Sequence, residues 1–239
     1  MLLCRKKVLP KSINRHLQTH SLGREILHFP QCDSTNRIAK ELSNNYGTVV
    51  IADSQTSGRG RSGKEWQSLK GGVYMSVVLP PKETAVITLI CALAVRRALG
   101  KGEIKWPNDI VIGGKKVCGI LCERTNDAVV CGIGVNLYNK VSKDIPATSI
   151  LGINPSKLVA KILNELENLL EYDFAILKNE YESYCVNINR DVVAVFENRS
   201  VKGVAKGVMD TGELIIDTSE GEITVNSGEV FVRGVYGYV

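Results

Sequence analysis

The stretch DIVIGGKKVCGILCERTNDAVVCGIGVNL, residues 109–137, decides the fold class. Two pairs of turn residues, Gly113-Gly114 and Asn126-Asp127, divide it into three apolar runs of strand length. Glycine and asparagine accept the backbone angles of tight hairpin turns, and connections this short join antiparallel strands. The stretch therefore predicts three consecutive antiparallel strands.

The residues before this meander predict a mixture of strands and helices. Residues 48–54 (TVVIADS) and 73–80 (VYMSVVLP) have the composition of buried strands, and residues 28–30 of a shorter one. A polar Asp-Ser-Thr start predicts a helix over residues 33–42. Apolar residues at helical spacing predict another over residues 83–99.

The residues after the meander change character twice. Two helical stretches cover about residues 155–170 and 173–184. From Asp191 the chain turns to short valine-rich strands separated by glycine and aspartate, which is typical of a small all-β module. The chain as a whole thus predicts an α+β protein.

Composition excludes several classes of protein. The 239 residues are 44% hydrophobic, enough for a full core, but no apolar run approaches the roughly 20 residues that span a bilayer. The basic N-terminus lacks the apolar stretch of a signal peptide. We therefore expect a soluble, cytoplasmic protein. The net charge of +5 is too small to indicate a nucleic-acid partner by itself.

The seven cysteines indicate neither a disulfide framework nor a zinc site. Their number is odd, and no two stand at C-x-x-C spacing. Cys118 and Cys122 are spaced to lie on one face of a strand, where a reduced cysteine acts as a small apolar side chain.

The loop QTSGRGRSGKEW, residues 55–66, contains two incomplete nucleotide-binding patterns. G-x-G-x-x-G and G-x-x-x-x-G-K both require a helix directly after the loop, and the residues that follow Gly63 have no helical periodicity. Glu65 also stands where a phosphate loop needs a hydroxyl. Two interpretations remain: a mobile surface loop, or a basic loop that closes around an anion.

The stretch IKWPNDIVIGGKKVCGILCE, residues 104–123, places a polar corner between a short strand and the first hairpin. Lys116 follows the hairpin turn and would be a fixed positive charge. Asn108 and Asp109 could hold magnesium, a ribose or an amine. On spacing alone, an ordinary hairpin with a basic tip explains the same residues.

Six motifs together resemble the biotin protein ligases. DSTN, QTSGRGRSGKEW, GGVYMSVVL, KWPND, KKVCGILCE and GIGVN occur in the order and at about the spacing of that family. The resemblance covers nearly all of the chain after about Leu22. About two dozen residues precede it, too few for the winged helix-turn-helix of the larger members, so the resemblance is to the short form without a DNA-binding repressor domain.

The resemblance implies the domain organisation. We expect a basic N-terminal extension over residues 1–22. A catalytic domain with a mixed and antiparallel sheet, of the class II synthetase-like biotin/lipoate ligase type, would cover residues 23–187. A small C-terminal SH3-like β-barrel would cover residues 190–239.

The resemblance also implies the reaction. Biotin and ATP, with Mg²⁺, would give biotinyl-5′-adenylate and pyrophosphate, and a lysine of a biotin carboxyl carrier protein or domain would then take the biotinyl group. The expected partners are this carrier and a second copy of the chain, without DNA or membrane. The homodimer is also motivated by the apolar strand in GGVYMSVVL, which could present one face to a partner.

The site residues implied by the resemblance fall into three overlapping groups. The catalytic group is Lys116, Arg59, Arg61 and Asp109, where Asp109 would ligate magnesium or receive the acceptor amine. The biotin-binding group is Ser34, Thr35, Asn36, Gln55, Gly58, Arg59, Gly60, Arg61, Lys116 and Gly119, of which Ser34 could also cap a helix. The ATP-binding group is Arg59, Arg61, Trp66, Asn108, Lys116 and Asn136.

Two rival functions stay open. A lipoate or octanoate ligase shares the architecture but would lack the GRGR loop. A non-enzymatic nucleic-acid binder could use the basic N-terminus and the β-rich tail, although Phe196 and Phe231 are isolated and give no stacking platform.

Overall fold

The computed structural model describes residues 7–142, 146–196, 199–226, 229–232 and 234–236. The helices are α1 (Pro10–Asn14), α2 (Thr35–Glu41), α3 (Thr84–Leu99), α4 (Pro155–Leu169) and α5 (Phe174–Tyr184). The strands of the first sheet are β1 (Ile26–Phe29), β2 (Val49–Ala52), β3 (Val73–Leu79), β4 (Glu103–Lys105), β5 (Asp109–Ile112), β6 (Lys115–Arg124) and β7 (Val129–Val135). Those of the second are β8 (Asp191–Val195), β9 (Ser200–Val208), β10 (Leu214–Thr218), β11 (Gly221–Val225) and β12 (Glu229–Val232).

The first sheet is mixed, as the resemblance implies. Its strand order is β1-β2-β3-β7-β6-β5-β4, with β1 and β2 parallel and the other pairs antiparallel. The meander β5-β6-β7 turns at Gly113-Gly114, both with positive φ, which glycine adopts without strain. The predicted α+β class and the antiparallel meander are therefore confirmed.

Helices α3 and α2 cover opposite faces of this sheet. Ten residues of α3 are buried, and the helix packs against β6 and α4. It ends at Gly100, whose φ of 68° gives the left-handed C-cap. On β3, Val77 faces the main hydrophobic core and Val78 packs with Ala39 of α2, as the alternation of a strand requires. Because α2 is short, it covers only part of its face.

The position of β3 removes one argument for a homodimer. All seven residues of β3 are buried, and the strand pairs with β2 on one side and β7 on the other. The interpretation that this strand offers a face to a partner is wrong, because every residue of β3 is already buried within the chain. The homodimer itself stays a prediction.

Three cysteines meet in the core, a proximity that their sequence spacing does not reveal. Cys91 of α3, Cys122 of β6 and Cys131 of β7 bring their sulfur atoms within 4.8 Å of one another. Burial raises the pKa of the Cys131 thiol well above its ordinary range, while hydrogen bonds from the other two cysteines lower that of Cys122, so the cluster does not supply the several thiolates that bind a metal ion. We therefore assign these side chains to core packing.

The N-terminal residues described, 7–22, pack on the catalytic fold. Ile13 of α1 is fully buried, and the backbone N–H of Leu9 donates to Ser156 Oγ at 2.9 Å. The carboxylate of Glu167 on α4 accepts from the N–H groups of Ser21 at 2.7 Å and Leu22 at 2.8 Å. These contacts fix the segment that the sequence describes as a basic extension.

The C-terminal residues form the predicted all-β module, an antiparallel sheet with the order β11-β10-β9-β8-β12. It contacts the catalytic fold closely: Trp106 Nε1 donates to the carbonyl of Gly212 at 3.0 Å, and Glu182 accepts from the N–H of Val208 at 2.8 Å. Buried residues of both parts belong to one continuous hydrophobic cluster. The module therefore has a defined position against the catalytic sheet. Across the described ranges, no helix is long and apolar enough to cross a membrane.

Candidate active site

A cavity of about 240 Å³ lies where α2, the loop of residues 55–66 and the corner of residues 105–109 meet over the sheet. Most of the site residues implied by the resemblance line it. These are Ser34, Thr35, Asn36, Gln55, Arg59, Gly60, Arg61, Trp66, Asn108, Asp109, Lys116 and Gly119. Gly58 and Asn136 do not line this cavity.

One end of the cavity carries neutral polar groups that bind one another. Gln55 Oε1 accepts from the Thr35 N–H at 2.8 Å and from Thr35 Oγ1 at 3.1 Å. Ser76 Oγ lies 2.8 Å from Thr35 Oγ1 and 2.6 Å from Asn36 Oδ1. We call Thr35, Asn36, Gln55 and Ser76 the polar pocket. Its donors and acceptors are neutral, closely spaced and held by neighbouring groups.

Further contacts hold Asn36. Its Nδ2 donates to Glu123 Oε2 at 2.8 Å, and Glu123 Oε1 pairs with Lys40 Nζ at 2.6 Å. A Cβ on Gly132 of β7 would stand 2.1 Å from Asn36 Oδ1. Glycine at position 132 is therefore required for the amide to lie against the sheet.

Ser34 directly precedes α2 but does not cap it through its side chain. The residue has the extended backbone of an N-cap, and its hydroxyl makes no capping hydrogen bond. The side chain is buried at the cavity wall instead. Ser34 therefore lines the cavity, as a biotin-binding residue would, and does not cap the helix through its side chain.

The loop of residues 55–66 folds back on itself. Arg59 pairs with Glu65 in an antiparallel bridge, and the Trp66 N–H donates to the Gly58 carbonyl at 3.0 Å. A Cβ on Gly58 would stand 2.4 Å from the Trp66 carbonyl oxygen. Gly58 thus allows the two arms of the loop to approach each other and does not itself line the cavity.

The indole of Trp66 lies against the backbone of β6 and β7. A Cβ on Gly119 would stand 2.9 Å from the indole, and one on Gly134 would stand 2.5 Å from it. The buried Trp66 Nε1–H has no hydrogen-bond partner among the residues that the structure describes. Lys116 Nζ lies 5.2 Å from the centre of the ring. Trp66 therefore offers both a flat surface and an unused donor at the cavity.

The other end of the cavity is centred on the carboxylate of Asp109. Lys116 Nζ lies 2.6 Å from Asp109 Oδ1, and the Tyr236 hydroxyl donates to Asp109 Oδ2 at 2.6 Å. Only 10% of the Asp109 side chain is exposed, against 26% of the Lys116 side chain. Oδ2 thus accepts a hydrogen bond, while Oδ1 lies at ion-pair distance from the ammonium group and accepts no hydrogen bond from the described residues.

Two more cations surround this carboxylate. Arg61 Nη1 donates to Asn108 Oδ1 at 3.2 Å, and burial lowers the pKa of the Arg61 guanidinium. Burial also lowers the pKa of Lys105 to about 8, and its Nζ lies 4.9 Å from the centre of the Tyr236 ring. We call Arg61, Lys105, Asp109, Lys116 and Tyr236 the charged junction. Three cationic side chains and one carboxylate therefore meet among these five residues.

A second cavity, of about 330 Å³, opens beside the first. Asn136 lines it, and Asn136 Oδ1 accepts from Asn139 Nδ2 at 2.9 Å. The two cavities share three lining residues, which are Trp66, Lys116 and Tyr236. Two ligands bound in the two cavities would therefore meet beside Lys116.

The residues present offer little to a metal ion by themselves. Among the described residues that line the first cavity, Asp109 is the one carboxylate, and its two oxygens already lie beside Lys116 and Tyr236. Mg²⁺ prefers several oxygen ligands, and in nucleotide sites the phosphates supply many of them. This site therefore fits a metal ion that arrives with a nucleotide, not one held by the protein alone.

Sequence reasoning assigned no role to several residues of this site. Ser76 is a polar residue inside an apolar strand, a signal that was present in VYMSVVL. Lys105 is part of KWPND, but its burial is visible only in the fold. Tyr236 has no local signal, because it lies 127 residues from Asp109 in the chain.

Two family models match the chain. The model of the biotin/lipoate A/B protein ligase family matches residues 28–136. The model of the biotin protein ligase C-terminal domain matches residues 188–233. The first match contains α2, the loop and the meander, and the second contains the C-terminal sheet.

Individual relatives cover more of the chain. The bifunctional ligase/repressor BirA of Bacillus subtilis is 33% identical over 94% of this chain and 79% of its own length. The biotin–[acetyl-CoA-carboxylase] ligase of Paracoccus denitrificans is 30% identical over 84% and 98%. A solved structure of the biotin protein ligase from Aquifex aeolicus, in complex with biotin and ATP, matches with a TM-score of 0.80, 30% identity, and 88% and 99% coverage. The chain therefore belongs to the biotin protein ligases of the biotin/lipoate A/B protein ligase family.

Proposed function

We propose that this chain activates biotin with ATP and then transfers the biotinyl group to a lysine of a carrier protein. In the first step a biotin carboxylate oxygen bonds to the α-phosphorus of ATP, and the bond from that phosphorus to the pyrophosphate oxygen breaks. In the second, the lysine amine bonds to the biotinyl carbonyl carbon, loses a proton, and AMP leaves. The observation that carries the proposal is the meeting of two cavities at Trp66, Lys116 and Tyr236.

The polar pocket suits the ureido ring of biotin. That ring is neutral, with one carbonyl acceptor and two N–H donors, and it needs short polar partners that are themselves fixed. Thr35, Asn36 and Gln55 supply such groups, and Ser34 adds a hydroxyl at the wall. Gly60 and Gly119 also line the cavity, and at Gly119 the missing side chain makes room for the Trp66 indole. Gly58 acts through the fold of the loop.

The charged junction suits the first chemical step. A carboxylate that attacks a phosphate is an anion approaching an anion, so the site must supply positive charge that interacts most strongly with the transition state. Lys116, Arg59 and Arg61 line the cavity where the two anions would meet, together with Lys105. We assign Lys116 to the reacting oxygens because it lines both cavities.

The second cavity suits the nucleotide. Asn136 lines it directly, Trp66 offers an aromatic face at its border, and Asn108 lies on the Arg61 side of the junction. We propose that Mg²⁺ enters with the phosphates of ATP, which it neutralises and orients. Asp109, which lines the first cavity, is the carboxylate that we assign to such an ion.

Asp109 has a second possible use in the transfer step. The acceptor amine must lose a proton as it attacks, and a buried carboxylate next to Lys116 can contact that amine. The biotinyl-5′-adenylate is a reactive mixed anhydride, so it must be kept from water until the carrier arrives. We propose that the loop that bears Arg61 covers it. Magnesium ligation and amine contact stay alternatives for Asp109.

The remaining assignments follow from this chemistry. We propose that the partner is a biotin carboxyl carrier protein or domain and that the reaction takes place in the cytoplasm. We propose that residues 1–22 are an N-terminal extension, residues 23–187 the catalytic domain and residues 190–239 the C-terminal domain. The homodimer stays a prediction.

Biotin-dependent release of pyrophosphate from ATP tests the proposed function. The purified chain is incubated with ATP and Mg²⁺, and with biotin, lipoate, octanoate or no acid. We expect release with biotin alone, followed by mass addition of one biotinyl group to an added carrier domain. Release that requires lipoate or octanoate would identify the rival ligase activity. If no acid causes release, activation of these acids is excluded.

A further inference from the structure

The last described residues of the C-terminal module dock on the catalytic hairpin. The Tyr236 N–H donates to the carbonyl of Gly114, in the turn between β5 and β6, at 2.9 Å. A Cβ on Gly114 would stand 2.8 Å from the Gly234 carbonyl oxygen, so only glycine permits this approach. The same hairpin carries Lys116. The C-terminal module is thereby connected to β6, the strand that carries Lys116.

The docking puts the side chain of Tyr236 into the charged junction. Its φ of 59° lies in the left-handed region, which a non-glycine residue adopts only where surrounding contacts hold it. Those contacts are the hydrogen bond to Asp109 Oδ2 at 2.6 Å and the ring face below Lys105 Nζ at 4.9 Å. Tyr236 also lines both cavities. A strained residue that reaches two charged groups in a site is a candidate for function.

We propose that Tyr236 is a positioning residue: its hydroxyl holds Asp109 so that Lys116 is free to move to the reacting oxygens. The inference rests on the proposed function. Asp109 and Lys116 are 2.6 Å apart, and a carboxylate with no other partner would hold the ammonium group tightly. A hydroxyl bonded to the second oxygen takes up part of the carboxylate charge and fixes its direction. Lys116 can then leave Asp109 and bind the substrate anions with a smaller loss of free energy.

The direction of the hydrogen bond supports this role. Burial, followed by the charge of Asp109, raises the pKa of the Tyr236 hydroxyl far above its ordinary range. The phenol therefore keeps its proton and donates it to the carboxylate across the working pH range. A phenylalanine at this position keeps the ring beside Lys105 but leaves one oxygen of Asp109 without its donor.

The test compares Tyr236→Phe with Tyr46→Phe. Tyr46 donates its hydroxyl to the Asp127 carbonyl at 2.8 Å, at an exposed turn outside both cavities, so it is the matched loss of one phenolic hydrogen bond. We expect Tyr236→Phe to lower kcat for biotin-dependent pyrophosphate release on the order of tenfold, the usual effect of losing a hydrogen bond to a charged group. KM for biotin should stay within about twofold, because the polar pocket is untouched. Tyr46→Phe should leave both constants unchanged.

An Asp109→Asn background separates positioning from packing. If the hydroxyl acts through the carboxylate, Tyr236→Phe should add almost nothing to the loss that Asp109→Asn already causes. Equal fold losses in both backgrounds, or a wild-type kcat in Tyr236→Phe, would overturn the inference while leaving the proposed function intact. A wild-type chain that releases no pyrophosphate with biotin would overturn both.

Discussion

The polar pocket and the charged junction lie in one cavity and are built on opposite principles. In the polar pocket, Thr35, Gln55 and Ser76 bind one another through neutral hydrogen bonds, so the pocket is organised before any ligand binds. In the charged junction, several cations surround the carboxylate of Asp109, and burial lowers the pKa values of Arg61 and Lys105. The pocket is thus held by its own hydrogen bonds, whereas the junction brings cationic side chains together at the end of the cavity where we propose that the anions react. We infer that the polar pocket recognises biotin and that the charged junction supports the chemical step.

The largest expected effect separates the rate of activation from biotin affinity. Lys116→Ala removes the cation that lines both cavities, and the loss of one such donor to a transition-state anion costs about 3 kcal/mol, or a hundredfold or more in rate. Biotin affinity, measured by calorimetry, should change less than about threefold.

Lys115→Ala is the matched control for this prediction, because Lys115 is the preceding residue on β6 and is exposed. It should keep the wild-type rate of pyrophosphate release. An equal loss in both variants would mean that general charge, not the position of Lys116, supports the reaction.

The polar pocket should give a smaller effect, on biotin affinity instead of on the rate of activation. Ser76→Ala leaves Thr35 Oγ1 and Asn36 Oδ1 without their shared neighbour, which should weaken biotin binding by about 1 to 1.5 kcal/mol, roughly tenfold. The maximal rate of activation should change little.

Ser156→Ala is the control for Ser76→Ala. Ser156 is also a buried serine, and its hydroxyl accepts from the Leu9 N–H away from the cavity. It should lower the melting temperature without changing biotin affinity. If Ser76→Ala affects only the melting temperature as well, the pocket is not a recognition element.

The smallest expected effect concerns stability. The pKa of Lys105 is lowered from 10.5 to about 8, chiefly by burial and in part by Lys116 and Arg61, while Asp109 opposes the shift. Between pH 8 and 10.5 the unfolded chain therefore binds more protons than the folded one, and the free energy of unfolding should rise with pH in that window. Lys105→Met should remove this rise and stabilise the protein at pH 7 by on the order of 1 kcal/mol.

Denaturant unfolding at pH 7 and pH 9.5 measures this contribution. The exposed Lys101→Met is the control and should follow the wild-type pH dependence. A Lys105→Met variant less stable than wild type at both pH values would show that the junction stabilises the fold in the absence of ligand.

Local signals explain what the sequence could predict of the fold. The β5-β6-β7 meander follows from its two turns, and α3 from its apolar periodicity, because both patterns are complete within a short stretch. Helix α1 was missed, since five residues form a helix only where packing on another element supports them. Its contacts with α4 join residues about 147 positions apart, such as Leu9 and Ser156.

The same distinction applies to the site. The motifs carry Gln55, Lys116 and Asp109, so the resemblance identifies them from sequence. Ser76 and Tyr236 gain their importance only from partners that the fold brings close, 41 residues away for Thr35 and 127 for Asp109. No local pattern encodes such pairs. The charge and burial of the junction could therefore be read only from the structure.

A double-mutant cycle on Ser76→Ala and Lys116→Ala tests most directly the claim that recognition and reaction are separate. The measured quantity is kcat/KM for biotin in pyrophosphate release, for wild type, each single variant and the double variant. The account predicts that the two free-energy losses add to within about 0.5 kcal/mol, as independent sites do. A coupling energy above about 1 kcal/mol would contradict it, because pocket and junction would then act as one unit.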